Sequence, residues 1–375
     1  MGWWCLTMRT LELLIVGGGP AGLSAAKQAA ELGVRTTLLD ANDKPGGQLF
    51  KQIHKFFGSK EHGAGTRGTT LAHDLVHDVL SHEIDVQLKT TAWGIFPDHR
   101  VVWESEGKMG TLSCERLLLA TGAQENAISF PGWHLPGVMG AGAAQTLINC
   151  HHVLPGNRAL VVGSGNVGLI VAYQLLQAGI DVAAVVEAQP HISGYGVHAS
   201  KIRRMGVPIY TSHTILASLG KEQVEQAIIA SVDHQWQAID GTEKQIDVDL
   251  ICLAVGLSPL AKLANTAGCR MVHNASLGGY MPYHDASMRT SQDWIYAAGD
   301  LAGIEEASAA IEEGRIAAIS IAQSLGKIDS ETGDRLREGP EKRLMQMRDG
   351  PYGWSIAEAK ASLFGHRKVD SGRES

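Results

Sequence analysis

Two distant stretches of this chain repeat one pattern of apolar and polar positions. Residues 11–16, LELLIV, form an apolar run of strand length suited to a buried parallel strand. A glycine turn follows, then an apolar helical pattern over 20–32 in which Ala21, Ala25, Ala26, Ala29 and Ala30 give a thin profile. A second strand over 34–39 ends at Asp40. Residues 159–187, ALVVGSGNVGLIVAYQLLQAGIDVAAVVE, run through the same sequence of events: strand, glycine turn, helix 167–178, strand 181–186 and then Glu187.

The glycines have the spacing G-x-G-x-x-G in both copies: Gly17, Gly19 and Gly22, then Gly163, Gly165 and Gly168. The first glycine permits a tight turn, the second lets a pyrophosphate approach the backbone, and the third lets helix pack on strand. Pro20 and Ala21 open the first helix, and Asn166 and Val167 lie at the start of the second. Each helix N-terminus directs free N–H groups and partial positive charge at the phosphates. Asp40 lies 18 residues after Gly22, and Glu187 lies 19 after Gly168, where a carboxylate accepts hydrogen bonds from ribose hydroxyls. The bland alternative, two glycine-rich turns in some other α/β protein, leaves the strand, helix and acid around each motif unexplained.

The parallel continues downstream. Residues 86–125 hold several short strands and end in Ala120-Thr121-Gly122, and residues 207–259 do the same and end in Ala254-Val255-Gly256. The duplicated object is a whole domain: βαβ, a β-meander and a strand returning to the sheet. The expected fold class is α/β, with two Rossmann-like, three-layer dinucleotide-binding domains, the second inserted in the first. The expected boundaries are 9–130, 155–262, 275–325 and a helical tail over 326–375.

Composition narrows the chemistry. The 375 residues suffice for two domains, and 44% hydrophobic against 19% charged argues for a packed core. A formal net charge of -7 without a basic block argues against nucleic acid, and no apolar run reaches membrane-spanning length. The five cysteines (Cys5, Cys114, Cys150, Cys252 and Cys269) form no Cys-x-x-Cys pair. They fit a reducing, cytoplasmic setting better than a disulfide framework, and no metal site is expected. The start, MGWWCLTMRT, is too short and lacks the basic region of a signal peptide, and Met8 is expected to be the natural start, since the first strand begins soon after.

With the duplicated fingerprint, the chain resembles the pyridine nucleotide-disulfide reductase superfamily of flavoproteins over about residues 10–325. The resemblance implies that the first unit binds FAD and the second NAD(P)H. It also implies that 288–318, MRTSQDWIYAAGDLAGIEEASAAIEEGRIAA, completes the FAD domain. By that match Gly299 and Asp300 hold the ribityl chain. A helix starting near Ile304, with Ala307, Ala310, Ile311, Ile316 and Ala317 in period, aims its N-terminus at the flavin. KPGGQLFKQ (44–52) and FPGWHLPGVMGAGAAQTLIN (130–149) look like a narrower group: FAD subunits of sarcosine, opine, proline and hydroxyproline dehydrogenases and a hydrogen cyanide synthase subunit. Gly47 and Gln48 then run beside the isoalloxazine, and Gln48 and Lys51 are the catalytic candidates. Two features depart from the relatives. The disulfide reductases' Cys-x-x-Cys is absent, which excludes thiol exchange as the main reaction, and the tail lacks the cysteines of many amine dehydrogenases, which excludes a thiolate-held iron–sulfur cluster there.

Glu187 favours a free ribose 2'-hydroxyl over a 2'-phosphate, so NADH is expected over NADPH. The following residues offer His191 and His198, with no basic side chain before Lys201. A second site kept as scaffold, or holding another nucleotide, remains open. His54, Lys55 and Arg67 are either anion-binding or members of a polar surface loop. His73 and His77 share a helix face, as a zinc pair would, beside an apolar stripe of Leu71, Leu75, Val76 and Leu80 that suits burial. Glu305 and Glu306 stabilise a first turn or meet a cationic substrate. The tail is either a helical extension on the FAD domain or a docking element for a second subunit.

Three functions fit. The first is an FAD enzyme passing hydride from NADH towards a small-molecule or protein acceptor. The second is the FAD subunit of a hetero-oligomeric amino-acid or opine dehydrogenase. The third is a non-catalytic flavin- and nucleotide-binding scaffold.

Overall fold

The structure, a computed structural model, describes residues 10–56, 63–350 and 353–364. Cys5, Met8 and the end of the tail, including Gly372 and Arg373, lie outside the described residues. The chain forms two compact units: residues 1–124 with 258–375, and residues 125–257.

Unit 1 opens with β1 (Leu11–Val16), α1 (Pro20–Glu31), β2 (Thr36–Leu39), α2 (Gly68–Leu80) and β3 (Asp85–Gln87). Then come β4 (Thr90–Phe96), β5 (Arg100–Ser105), β6 (Lys108–Leu119) and β7 (Ala123–Glu125), where the chain crosses into unit 2. Unit 2 holds β8 (Val138–Gly140), α3 (Ala141–His151), β9 (Arg158–Val162), α4 (Asn166–Gln177), β10 (Asp181–Glu187), α5 (Gly196–Arg204) and β11 (Ile209–Thr211). It continues through β12 (His213–Leu219), β13 (Gln226–Ser231), β14 (Lys244–Asp247) and β15 (Leu250–Leu253). From β16 (Leu257–Pro259) the chain returns to unit 1 for α6 (Lys262–Thr266), β17 (Met271–Asn274), β18 (Gly279–Pro282) and β19 (Ile295–Ala297). Helices α7 (Ala307–Ser324), α8 (Ser330–Arg348) and α9 (Trp354–Leu363) follow.

Unit 1 is built on a parallel sheet in the order β3-β2-β1-β6-β19. Its inner strands are buried on both faces, which is why they read as continuous apolar runs: Leu13, Leu14 and Ile15 are all fully buried. Strand β6 serves two sheets. Its first half pairs antiparallel with β5 in the meander, and Cys114–Leu119 pairs with β1 in the main sheet. Helix α1 lies against α7 with almost no side chain between them. A Cβ at Gly314 would sit 2.2 Å from Ala21 O, and Ser24 Oγ donates to Ile311 O at 2.8 Å. The alanine-rich profile of α1 is what permits this approach.

Unit 2 repeats the plan as a parallel sheet, β11-β10-β9-β15-β8, with an antiparallel β12-β13-β14 meander. One feature differs from the copy. The fifth strand of unit 1, β19, comes after its other strands in the chain, whereas that of unit 2, β8, comes before them. Unit 2 therefore begins ahead of the expected residue 155, because β8 pairs with β15 and α3 adds Ala141 and Ala144 to its core.

The expected stripe on α2 fails only at its end: Leu75 is buried and Leu71 and Val76 pack partly buried against the core beside Ala72 and Val79, while Leu80 is 66% exposed. Helix α7 starts at Ala307 rather than near Ile304. Glu306 is extended (φ -74°, ψ 156°), and the Ile304 N–H donates to Leu277 O instead of opening the helix. No helix among the described residues is long and apolar enough to cross a membrane.

Candidate functional site

The first glycine turn has the shape that a diphosphate requires. Gly17 adopts φ +108°, and a Cβ there would lie 2.2 Å from Ala120 O. A Cβ at Gly22 would lie 1.8 Å from Gly17 O, so both positions exclude any side chain. Gly19 behaves oppositely: nothing lies within 4 Å of where its Cβ would project. The open space fronts the N-terminus of α1, which has no side-chain cap and no acid in its first turn. The leading N–H groups of that helix thus remain available to an anion. The residues present fit the pyrophosphate of a dinucleotide, with Pro20 and Ala21 in the first turn behind it.

Asp40 and Asn42 complete this end of the site. The Gly18 N–H donates to Asp40 Oδ2 at 2.6 Å, while the Asn42 N–H and side-chain amide both donate to Oδ1 at 2.8 Å. Oδ2 therefore keeps a lone pair for a ribose hydroxyl. The chain then folds back. The Gly46 N–H donates to Gly18 O at 2.7 Å, and a Cβ at Gly47 would lie 2.9 Å from Gly19 Cα. This sets the short 3-10 turn Gly47–Lys51 over the cradle, with Gln48 exposed and Lys51 half-buried. Ala120 donates its N–H to Val16 O, Thr121 Oγ1 donates to Leu260 O at 3.1 Å, and Gly122 has φ +73°.

Unit 2 reproduces the plan of this arrangement. Gly163 has φ +107° and a Cβ-to-Ala254 O distance of 2.2 Å, and a Cβ at Gly168 would lie 2.1 Å from Gly163 O. The Gly165 Cβ direction is nearly empty, with Ser193 Oγ at 4.0 Å. The Ser164 N–H and hydroxyl both donate to Glu187 Oε2, at 2.9 and 2.6 Å, and the Gln189 N–H donates to Oε1 at 2.9 Å. The Gly194 N–H returns to Ser164 O at 2.9 Å, as Gly46 does to Gly18, and the Tyr195 N–H donates to Asn166 Oδ1 at 2.8 Å. Val167 is 37% exposed at the first turn of α4, and Gly256 takes φ +107° at the end of the returning strand. Sequence reading missed these fold-backs, although a glycine six or seven residues after each acid marks them.

The late loop of unit 1 holds a buried charge cluster. The Gly299 N–H donates to Glu313 Oε2 at 3.0 Å. Burial, then the neighbouring carboxylates of Glu313, Glu305 and Glu306, push the Asp300 carboxyl up to about 7 against the one weak N–H of Glu305. Arg348 donates to Glu305 from Nε and Nη2, at 2.9 and 2.7 Å, and from Nη2 to Glu313 Oε1 at 2.9 Å. Burial resists the ionisation of Glu313, but Lys360 and Arg348 overcome it and hold its carboxyl below the usual range. Glu305 is thus neutralised inside the protein rather than offered to a substrate. His284 is fully buried, and burial, reinforced by Lys360, pushes its pKa down to about 4. Glu312, fully buried, accepts a two-pronged contact from Arg343 at 2.9 and 2.8 Å. In the sequence, the pair Glu312-Glu313 inside the apolar run of α7 is the signal for this cluster.

Lys55 and Arg67 are exposed and joined by a backbone bridge, and His54 leans on Phe56 with ring centroids 5.4 Å apart. His73 packs edge-on against Phe50 at 5.3 Å. No group of three or more metal-ligating side chains occurs among the described residues. His191 is exposed, while His198 is buried and its pKa is lowered by burial and by Lys201, whose amine lies 5.4 Å from the Tyr173 ring centre. Burial pushes the thiols of Cys114 and Cys252 up to about 12, so neither supplies a thiolate at neutral pH.

The family model for pyridine nucleotide-disulphide oxidoreductases matches residues 11–314. An opine oxidase subunit from Agrobacterium tumefaciens (strain Ach5) is 30% identical over 90% of this chain and 71% of its own length. Hydrogen cyanide synthase subunit HcnB of Pseudomonas protegens is 30% identical over 89% of this chain and 75% of its own. Among solved structures, L-proline dehydrogenase from P. horikoshii superposes with a TM-score of 0.70 at 22% identity, covering 89% of this chain and 59% of that one. T. acidophilum thioredoxin reductase gives a TM-score of 0.70 at 20% identity, over 84% and 99% of the two chains, a likeness of fold. The duplicated cradle and the extent of the family match agree: this chain belongs to the pyridine nucleotide-disulphide oxidoreductase family, flavin-dependent enzymes that use FAD and NAD(P).

Proposed function

We propose that the chain binds FAD in unit 1 and NADH in unit 2, passing hydride between them and electrons onward to a small-molecule or protein acceptor in a cytoplasmic setting. The observation that carries this reading is the intact second cradle, whose Glu187 keeps a lone pair on Oε1 beside an open helix N-terminus. FAD, when bound, supplies the two-electron chemistry. The protein supplies position and charge. Gly17, Gly19, Pro20, Ala21 and Gly22 seat the FAD diphosphate, Asp40 takes its ribose, and Ala120, Thr121 and Gly122 line the adjoining strand end. Gly299 and Asp300 take the ribityl chain, and the α7 N-terminus faces the flavin from Ala307 rather than from Ile304. Gly47, Gln48 and Lys51 adjoin the ring, Lys51 as a charge near the flavin. Gly163, Gly165, Asn166, Val167, Gly168, Glu187 and Gly256 form the NADH site, where Glu187 disfavours a 2'-phosphate.

A second reading has its own support: relatives at 30% identity are named as subunits of opine oxidase and hydrogen cyanide synthase. In it, the chain is the FAD subunit of a hetero-oligomeric amine or amino-acid dehydrogenase, with substrate oxidised on a partner. Anaerobic mixing with NADH, NADPH, proline, sarcosine and opines separates the two. Flavin bleached by NADH alone supports the first, bleaching by an amine or opine supports the second, and flavin that none of them reduces supports a scaffold.

A further inference from the structure

The C-terminal helices carry two cations into the interior of unit 1. Lys360, on α9, is 2% exposed, and its ammonium donates to Ala302 O at 2.9 Å and to Glu313 Oε1 at 2.8 Å. The other oxygen of Glu313 accepts the Gly299 N–H at 3.0 Å. One lysine therefore holds the turn Gly299–Ala302 at both ends, directly at its last carbonyl and through Glu313 at its first N–H. Asp300 lies between the two anchors.

The tail has other fastenings: Arg343 on Glu312 and Arg337 on Gln323 at 2.7 Å hold α8 to α7, and Ala359, Ile356 and Leu363 of α9 pack with Leu277 and Met281. An ammonium buried this deeply keeps its charge only if protein partners replace its water. Here those partners belong to, or directly hold, the loop that carries Asp300. Arg348 fixes Glu313 from a second direction, so the carboxylate is set by two cations from two tail helices.

We propose that Lys360 is a positioning residue for the flavin: by clamping the 299–302 turn it sets Asp300 for the ribityl chain and makes the C-terminal segment part of the cofactor site. This inference rests on the reading of that turn as FAD-binding. Removing the lysine frees Ala302 O and leaves Glu313 held by Arg348 and the Gly299 N–H without the ammonium, so the turn loosens at both anchors.

The test uses the full chain and two ligands. FAD affinity is measured by quenching of flavin fluorescence on the apoprotein, and NADH affinity, read from unit 2, serves as the internal control. Lys360→Met is expected to weaken FAD binding at least tenfold with NADH binding unchanged, and Lys360→Arg to recover part of the loss. Glu313→Gln with Lys360→Met strands no buried charge, so it keeps the test open if the single variant does not fold. It too is expected to lose at least tenfold in FAD affinity. Wild-type FAD affinity in either folded variant carrying Lys360→Met overturns the proposal. A wild-type chain that binds NADH but no FAD defeats instead the reading of the first cradle, and the clamp with it.

Discussion

Ser164 gives Glu187 two hydrogen bonds at once, from its backbone N–H at 2.9 Å and from its hydroxyl at 2.6 Å, both to Oε2. The counterpart in unit 1, Gly18 to Asp40, has only the backbone bond. The extra hydroxyl, with Ser193 Oγ at 3.3 Å, restrains Oε2, which leaves Oε1 for the ribose in the proposed NADH site. Ser164→Ala removes a bond to a charged acceptor, worth about 1.5–3 kcal/mol. We expect about a tenfold or greater rise in the dissociation constant for NADH, read by titration of NADH fluorescence. Flavin reduction at saturating NADH is expected to stay near wild type, and a fall in that limiting rate with unchanged affinity would reverse the assignment.

Gly19 and Gly22 lie three residues apart yet answer different demands. Gly19→Ala points a methyl into open space, so the apoprotein is expected to keep its stability to within about 0.5 kcal/mol. In the proposed FAD site the same methyl takes the space of the diphosphate, so FAD binding is expected to fall at least tenfold. Gly22→Ala drives its methyl to 1.8 Å from Gly17 O, and overpacking of this kind costs about 1–3 kcal/mol or more. Thermal unfolding of the two apoproteins, alongside FAD titration, checks the contrast. Equal destabilisation by both would contradict it.

Asp300 and His284 make opposite contributions to the pH dependence of the apoprotein. The Asp300 carboxyl is raised from 3.8 to about 7, so its contribution is fully present below pH 3.8 and lost as pH rises through 7. The His284 imidazole is lowered from 6.5 to about 4, so its contribution is present above pH 6.5 and lost as pH falls through 4. The two oppose each other over the same window. Asp300→Asn cannot ionise, and is expected to stabilise the apoprotein at pH 7 by up to roughly 4 kcal/mol. Its stability then falls as pH drops from 6.5 towards 4, by on the order of 3 kcal/mol, because His284 is no longer offset. FAD binding weakens in the same variant. Denaturant unfolding at several pH values reads the first effects and flavin titration the last. A variant less stable than wild type at pH 7 would refute this account of the buried carboxyl.

Much of the fold was legible because both glycine turns sit in strong local patterns. Buried parallel strands read as apolar runs, and Gly17, Gly22, Gly163 and Gly168 are fixed by sterics within a few residues of themselves. The start of α7 was misplaced because a tertiary contact, Ile304 to Leu277, takes the N–H that periodicity assigned to the helix. The last residue of the α2 stripe was misplaced because Leu80 and Val79 are equally apolar, and only packing decides between them. The Glu312-Glu313 pair inside an apolar helix marks the charge cluster, but its partners were illegible: Lys360 meets Glu313 across 47 residues, and no local spacing announces a salt bridge of that range.

The central claim is that one chain seats two dinucleotides, one in each copy of the cradle. Titrating the purified chain anaerobically with NADH, after loading with FAD, tests it most directly. The account predicts a yellow protein holding one FAD per chain, whose flavin band is bleached by NADH faster than by NADPH. A chain that stays colourless after reconstitution, or a bound flavin reduced faster by NADPH, would contradict it.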